Sequence, residues 1–171
     1  PSEQAWAKGK ELAENTLAQY KKTHGDYPRK VSYTFWSSEF IESEGATIAQ
    51  VLYMLGVEPV RDAYGRVSDL RLIPSEQLGR PRVDVIVQTS GQFRDLAASR
   101  LALISRAVEM AAAATDDRYG NRVAESTVET ERLLVEQGVS PKDAREISTQ
   151  LVFRGVNGMY GTGIQDMITS G

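Results

Sequence analysis

Two short stretches carry side chains that could do chemistry. SSEFIESEG, Ser37 to Gly45, holds Glu39, Glu42 and Glu44. SGQFRD, Ser90 to Asp95, holds Arg94 and Asp95 behind a glycine-centred turn. Carboxylates bind hard cations and accept protons. An arginine presents a planar fork that takes a carboxylate or phosphate through two parallel hydrogen bonds. A rim with both signs suits a ligand that has carboxylates and a cationic or metal centre. Each residue also has a plainer reading. Ser90 serves as a helix N-cap with Asp95 in the first turn, a contribution of about 1 kcal/mol. A glutamate cluster is more often a solvated face, since this spacing does not fix three or more oxygens on one ion.

The elements that must position these stretches are legible as patterns. Ser2 to about Thr23 reads as a helix, with Trp6, Ala13, Leu17 and Tyr20 on one face and HGDYP, His24 to Pro28, as its end. VSYTFW, Val31 to Trp36, reads as a strand. Ala46 to Leu55 reads as a helix with Ser43 as N-cap and Gly56 just past its end. Val57 to Arg61 is expected as a second strand, parallel to the first because a helix crosses between them. A turn at Asp62 to Ser68, an extended piece at Leu70 to Ile73 and a helical turn from Pro74 to Leu78 follow. Val83 to Thr89 is a continuous apolar run of the doubly buried kind.

A long helix is expected from Phe93 to about Ala114, another from Val123 to Gln137, and a third opened by Ser140 and Pro141 and running to about Phe153. Ile164 to Ile168 is expected to begin a last helix. The order predicts an α/β fold: a small parallel sheet, β-α-β then β-α, flanked by helices, with a helical, loop-rich C-terminal part. Residues 1–115 are read as the α/β domain and 116–171 as a helical extension of the same larger protein. In such a sheet ligands bind beyond the carboxyl ends of the strands. Both chemically equipped stretches lie there, next to helix N-termini with free N–H groups and partial positive charge.

Composition narrows the function. The 171 residues carry a net charge of −3 and no cysteine, which excludes disulfides and thiolate ligands and gives no sequence-wide basic surface for nucleic acid. His24 is the sole histidine and reads as a helix-end residue, so a histidine-rich metal site is excluded. No apolar run reaches the length of a membrane span. Pro1 in place of Met and the abrupt IQDMITSG ending suggest an excised or processed piece of a longer chain. Arg80 and Arg82 read either as solvated loop charges or as bridges to Asp62 or Asp84. GVNGMYGTG, Gly155 to Gly163, has the composition of a phosphate cradle but lacks the GxxxxGK[ST] context.

Taken together, EGATIAQVLYMLGVEPVRDAYGRV, Glu44 to Val67, and LIPSEQLGRPRVDVIVQTSGQFRD, Leu72 to Asp95, resemble one family. It is the large tetrapyrrole-binding subunit of ATP-dependent metal chelatases, the cobaltochelatase large subunits and magnesium-chelatase H subunits. The matching residues include Glu44, Gly45, Gly56, Pro59, Asp62, Gly65, Arg66, the run Leu78 to Asp84, Ser90, Gly91 and Phe93 to Asp95. The HGDYP lead-in looks like that of the cobalt branch, and the late helix pair resembles the family's. Arg154 and GVNG depart from its usual small-residue and proline-containing loop. The family's upstream HG-LE-LPGK-type motif is not found here.

The resemblance implies a segment of a larger subunit that inserts a divalent metal, cobalt more than magnesium, into a corrin or porphyrin for cobalamin or related biosynthesis in the cytoplasm. It implies Glu44 and Asp95 as bases or transient metal ligands, and Gly45, Ser90, Gly91 and Arg94 as the substrate-binding set. The implied partners are the tetrapyrrole, the AAA+ ATPase motor subunits and the rest of the large subunit. ATP, Mg2+ and the inserted Co2+ belong to the complex. This segment is expected to bind no cofactor and to be inactive alone. Two other readings stay open: a structural or docking module of that subunit without ligand contact, and an independent small-molecule-binding α/β domain.

Overall fold

The computed structural model describes residues 2–35, 41–89, 94–115, 117–154 and 167–170. In chain order the elements are α1 (Glu3–His24), β1 (Lys30–Phe35), α2 (Ile41–Leu55), β2 (Val57–Arg61), β3 (Val67–Leu72), α3 (Ser75–Leu78) and β4 (Asp84–Thr89). α4 (Arg94–Ala113), α5 (Arg122–Glu136), α6 (Pro141–Arg154) and β5 (Met167–Ser170) complete the order. It is a mixed α/β fold built on a small parallel sheet.

The sheet has the order β4-β1-β5, and both pairings are parallel. Val31 and Tyr33 are in register with Val85 and Val87, so the four share one face. They join Leu17 of α1 and Val51, Leu52 and Leu55 of α2 in the main core. Burying each such aliphatic side chain contributes about 1.5–3 kcal/mol relative to exposure. The opposite face, at Asp84, meets α5 through Ser126, and α6 also packs on β4. Helices therefore cover both faces, as a parallel sheet requires.

α1 starts where its sequence says. Ser2 is the N-cap, its Oγ accepting from the Ala5 N–H at 3.1 Å. α1 lies close along α2, because a Cβ on Gly9 would stand only 2.4 Å from the Ala49 Cβ. α6 likewise opens with Pro141 at its first position, and the Ser140 Oγ accepts from the Asp143 N–H at 3.2 Å.

Three expectations are corrected. β2 is not a neighbour of β1; it pairs antiparallel with β3 in a separate two-stranded ribbon. Two local features explain this. Pro59 has no N–H to give a central ladder, which confines its strand to an edge. The Asp62 carboxylate accepts from the N–H groups of Tyr64 and Arg66 at 2.8 and 3.0 Å, and folds the chain straight back. Second, Met167–Ser170 is a strand beside β1, where a helix start was expected; the neighbouring edge satisfies its backbone groups. Third, α2 begins at Ile41, so Ser43 lies inside its first turn and is not the cap. Acidic residues in that turn suit the positive end of the helix dipole.

Candidate active site at the carboxyl edge of the sheet

β1 and β4 run parallel, and their last residues, Phe35 and Thr89, are register partners. The two chemically equipped connections therefore leave the sheet at the same edge. α2 follows one connection and α4 the other, and the two helices pack against each other. Their amino ends carry N–H groups without intrahelical partners. The strand ends from which the expected rim departs are thus neighbours in the described backbone.

The predicted site residues distribute as follows. Glu44 and Gly45 lie in the first turns of α2, and Gly45 is buried. Arg94 and Asp95 are the first two residues of α4. The side chains of Glu44, Arg94 and Asp95, and all of Ser90 and Gly91, lie outside the described residues. Glu39 lies outside them too, as does the side chain of Glu42. Among the described residues no group of three or more His, Asp or Glu could hold a metal ion.

The LGRPR run is not a solvated loop. Arg82 is fully buried. Its Nε donates to Asp117 Oδ1 at 2.9 Å, its Nη1 to the carbonyls of Leu55 and Gly56 at 3.2 and 2.6 Å, and its Nη2 to that of Ile73 at 2.8 Å. Asp117 in turn accepts from the Asn121 amide at 3.0 Å, and Asn121 caps α5 through the Ala124 N–H at 3.0 Å. One guanidinium so fastens the ends of α2 and β3 to the loop before α5. Gly56 makes room for it: φ is +74°, and a Cβ there would stand 2.2 Å from Arg82 Nη1. The expected partners, Asp62 and Asp84, are both replaced. Asp62 builds the hairpin, and Asp84 faces Lys30.

Lys30 and Asp84 are in register at the amino ends of β1 and β4, Nζ to Oδ2 at 4.0 Å, both buried. Burial pushes the Asp84 carboxyl up to about 7, against the opposing pull of Lys30 and the Ser126 hydrogen bond. This pair sits at the sheet edge away from the rim. Nothing in the local pattern around Lys30 marked it, because its partner lies fifty-four positions on, at Asp84.

A family model described as CobN/Magnesium Chelatase matches residues 1–171, the whole chain. The chain belongs to the CobN/magnesium chelatase family. It is 36% identical over 170 residues to the aerobic cobaltochelatase subunit CobN of Pseudomonas aeruginosa, covering 98% of this chain and 14% of that protein. It is 36% identical over 165 residues to the chloroplastic magnesium-chelatase subunit ChlH of Oryza sativa subsp. japonica, covering 96% of this chain and 11% of that one. Among solved structures, the catalytic subunit of cobaltochelatase from Mycobacterium tuberculosis superposes with a TM-score of 0.72 at 34% identity, over 87% of this chain and 12% of that one. The chain thus spans about a seventh or less of these relatives.

Family motifs in this chain divide into two kinds. D-GR, at Asp62, Gly65 and Arg66, and GRPR, at Gly79 to Arg82, build turns and weld elements. EG, at Glu44 and Gly45, lies in the first turns of α2, and Arg94 and Asp95 of SG-FRD open α4, while Ser90 to Phe93 lie outside the described residues. No helix among the described residues is long and apolar enough to cross a membrane.

Proposed function

We propose that this chain is a segment of the large subunit of an ATP-dependent metal chelatase, and that the carboxyl edge of β1 and β4 forms part of its tetrapyrrole pocket. The observation that carries this reading is the Phe35–Thr89 register, which sends both motif-bearing connections to one edge in a chain of this family. The substrates are a divalent metal ion and a metal-free corrin or porphyrin. Insertion removes two pyrrole N–H protons and strips water from the ion. Carboxylates serve both needs, as bases and as transient oxygen ligands. Glu44 and Asp95 are assigned those roles. Arg94 takes a carboxylate on the macrocycle rim through its bidentate fork. Gly45, Ser90 and Gly91 let the backbone approach the ring closely.

The metal is read as cobalt, on the HGDYP lead-in of the cobalt branch; matches of equal identity to cobalt and magnesium subunits leave the metal to experiment. ATP with Mg2+ enters through AAA+ motor subunits, in the cytoplasm. Residues 1–115 and 116–171 are read as two parts of the same large subunit. The test is a titration of the full subunit with a metal-free corrinoid and, separately, a porphyrin, followed by macrocycle absorbance and tryptophan quenching. Saturable change with one of them supports the reading. A subunit that binds neither, yet still requires this segment to engage its ATPase partners, supports a docking module instead.

A further inference from the structure

A groove of about 610 Å³ runs along α1 on the side of the sheet's amino ends. Its walls include Leu17, Tyr27 and Leu78, and Lys21 and Lys22 stand at its rim. Its floor is Arg80, only 6% exposed. Arg80 Nη1 donates to the carbonyls of Met54 and Pro81 at 3.2 and 2.9 Å, and Nη2 donates to that of Tyr53. A guanidinium has five N–H bonds. A further hydrogen bond joins the guanidinium to the Tyr53 side chain, whose ring centroid lies 4.9 Å from it. No described carboxylate forms an ion pair with Arg80 either, in contrast to Arg82 with Asp117. Burial accordingly pulls its pKa down, to about 10. The groove's one carboxylate, Glu14, is engaged by the Tyr53 hydroxyl at 3.0 Å.

A buried guanidinium without a counter-charge costs several kcal/mol, and an incoming carboxylate offsets that cost. We propose that this groove docks an acidic residue carried by an apolar peptide segment: its carboxylate supplies the counter-charge that Arg80, Lys21 and Lys22 lack there, and its neighbours rest on Leu17, Tyr27 and Leu78. Charge complementarity names the acid, since Lys21, Lys22 and Arg80 face the single Glu14. Shape favours a peptide over a small acid. The groove is open and follows α1 from Glu14 to Lys22, about 12 Å of helix axis, the span of about four extended residues. In the relatives, more than four-fifths of the polypeptide lies outside the matched region and can supply such a segment. The site lies at the amino side of the sheet and is independent of the carboxyl-edge reading.

The probe is the peptide acetyl-Ala-Leu-Glu-Leu-Ala-amide, titrated into the 15N-labelled chain. The Arg80 Nε–H and Gly79 amide resonances are expected to shift saturably. The glutamine analogue is expected to bind at least about tenfold more weakly, the difference that a hydrogen bond to a charged group makes. Lys21→Glu combined with Lys22→Glu, both on the exposed face of α1, is expected to weaken binding while leaving the helical circular dichroism unchanged; this variant keeps the test open should Arg80→Ala fail to fold. Equal binding of the glutamine analogue, or no movement at Arg80, overturns the proposal. Acetate binding as tightly as the peptide overturns it too, in favour of a small-anion site.

Discussion

The fully buried Arg82 guanidinium donates to Asp117 Oδ1 at 2.9 Å across thirty-five positions of sequence. Removing one partner of a buried pair costs about 3–5 kcal/mol, because the other charge is left uncompensated. Arg82→Met also removes the side-chain donor to the carbonyls of Leu55 and Ile73, while that of Gly56 keeps the Ile73 N–H at 2.8 Å. At about 2–4 °C per kcal/mol for a chain of this size, Tm should fall by about 10 °C or more, and Asp117→Asn should lose less. A loss of only a degree or two on thermal denaturation would show that the weld is not structural.

Asp84 predicts a pH dependence. Its folded pKa, about 7, lies above the ordinary carboxylate value of 3.8. Between those values the folded state holds the proton more tightly than the unfolded state. Stability from this group is therefore full at low pH and declines as pH rises from about 4 to about 7. Asp84→Asn lacks the titration. The Tm of the variant minus that of the parent should rise across this window and flatten above it. A difference that is constant with pH would remove Asp84 as the source.

Gly9 decides a contest between two effects. Alanine in a helix interior is favoured over glycine by about 1 kcal/mol. Against that, the added Cβ meets Ala49 Cβ at 2.4 Å and the Ala46 carbonyl at 2.5 Å. Overpacking of this kind costs about 1–3 kcal/mol and sometimes more. Gly9→Ala should therefore lower the denaturant midpoint. Gly25→Ala, with nothing within 4 Å but a φ of +82° that strains any side chain, separates backbone strain from crowding. An unchanged or raised midpoint for Gly9→Ala would mean that α1 shifts off α2 without cost.

The carboxyl edge is tested in the full-length subunit assembled with its ATPase partners. Arg94→Ala should weaken macrocycle binding by about tenfold or more, the loss of a charged hydrogen bond. Glu44→Gln should retain binding and lower the insertion rate by about 10²–10⁴, the range for a lost general base. Macrocycle affinity and insertion rate are read separately, by absorbance titration and by metallated product. Both variants behaving as the parent would take the site away from this edge.

The sequence by itself determined the elements whose signals are local. Ser2 and Pro141 start their helices, Gly56 ends another, and the apolar run to Thr89 forms a buried strand because propensity, capping and periodicity act within a turn or two of the chain. That run reads as the middle strand of the sheet, a place that β1 takes instead in the order β4-β1-β5. It also determined the family, through residue types in one order. The tertiary structure decided what depends on distant partners. β2 reads as a sheet strand until Pro59 and the Asp62 turn send it to β3. Met167–Ser170 becomes a strand only because the edge of β1 is there to pair with it. Arg82 and Arg80 look alike in a basic loop, yet the first is matched by the Asp117 carboxylate and the second meets only carbonyls and Tyr53. Charge is written in the sequence. Whether a charge is buried, and what neutralises it, is set by residues that meet only when the chain folds.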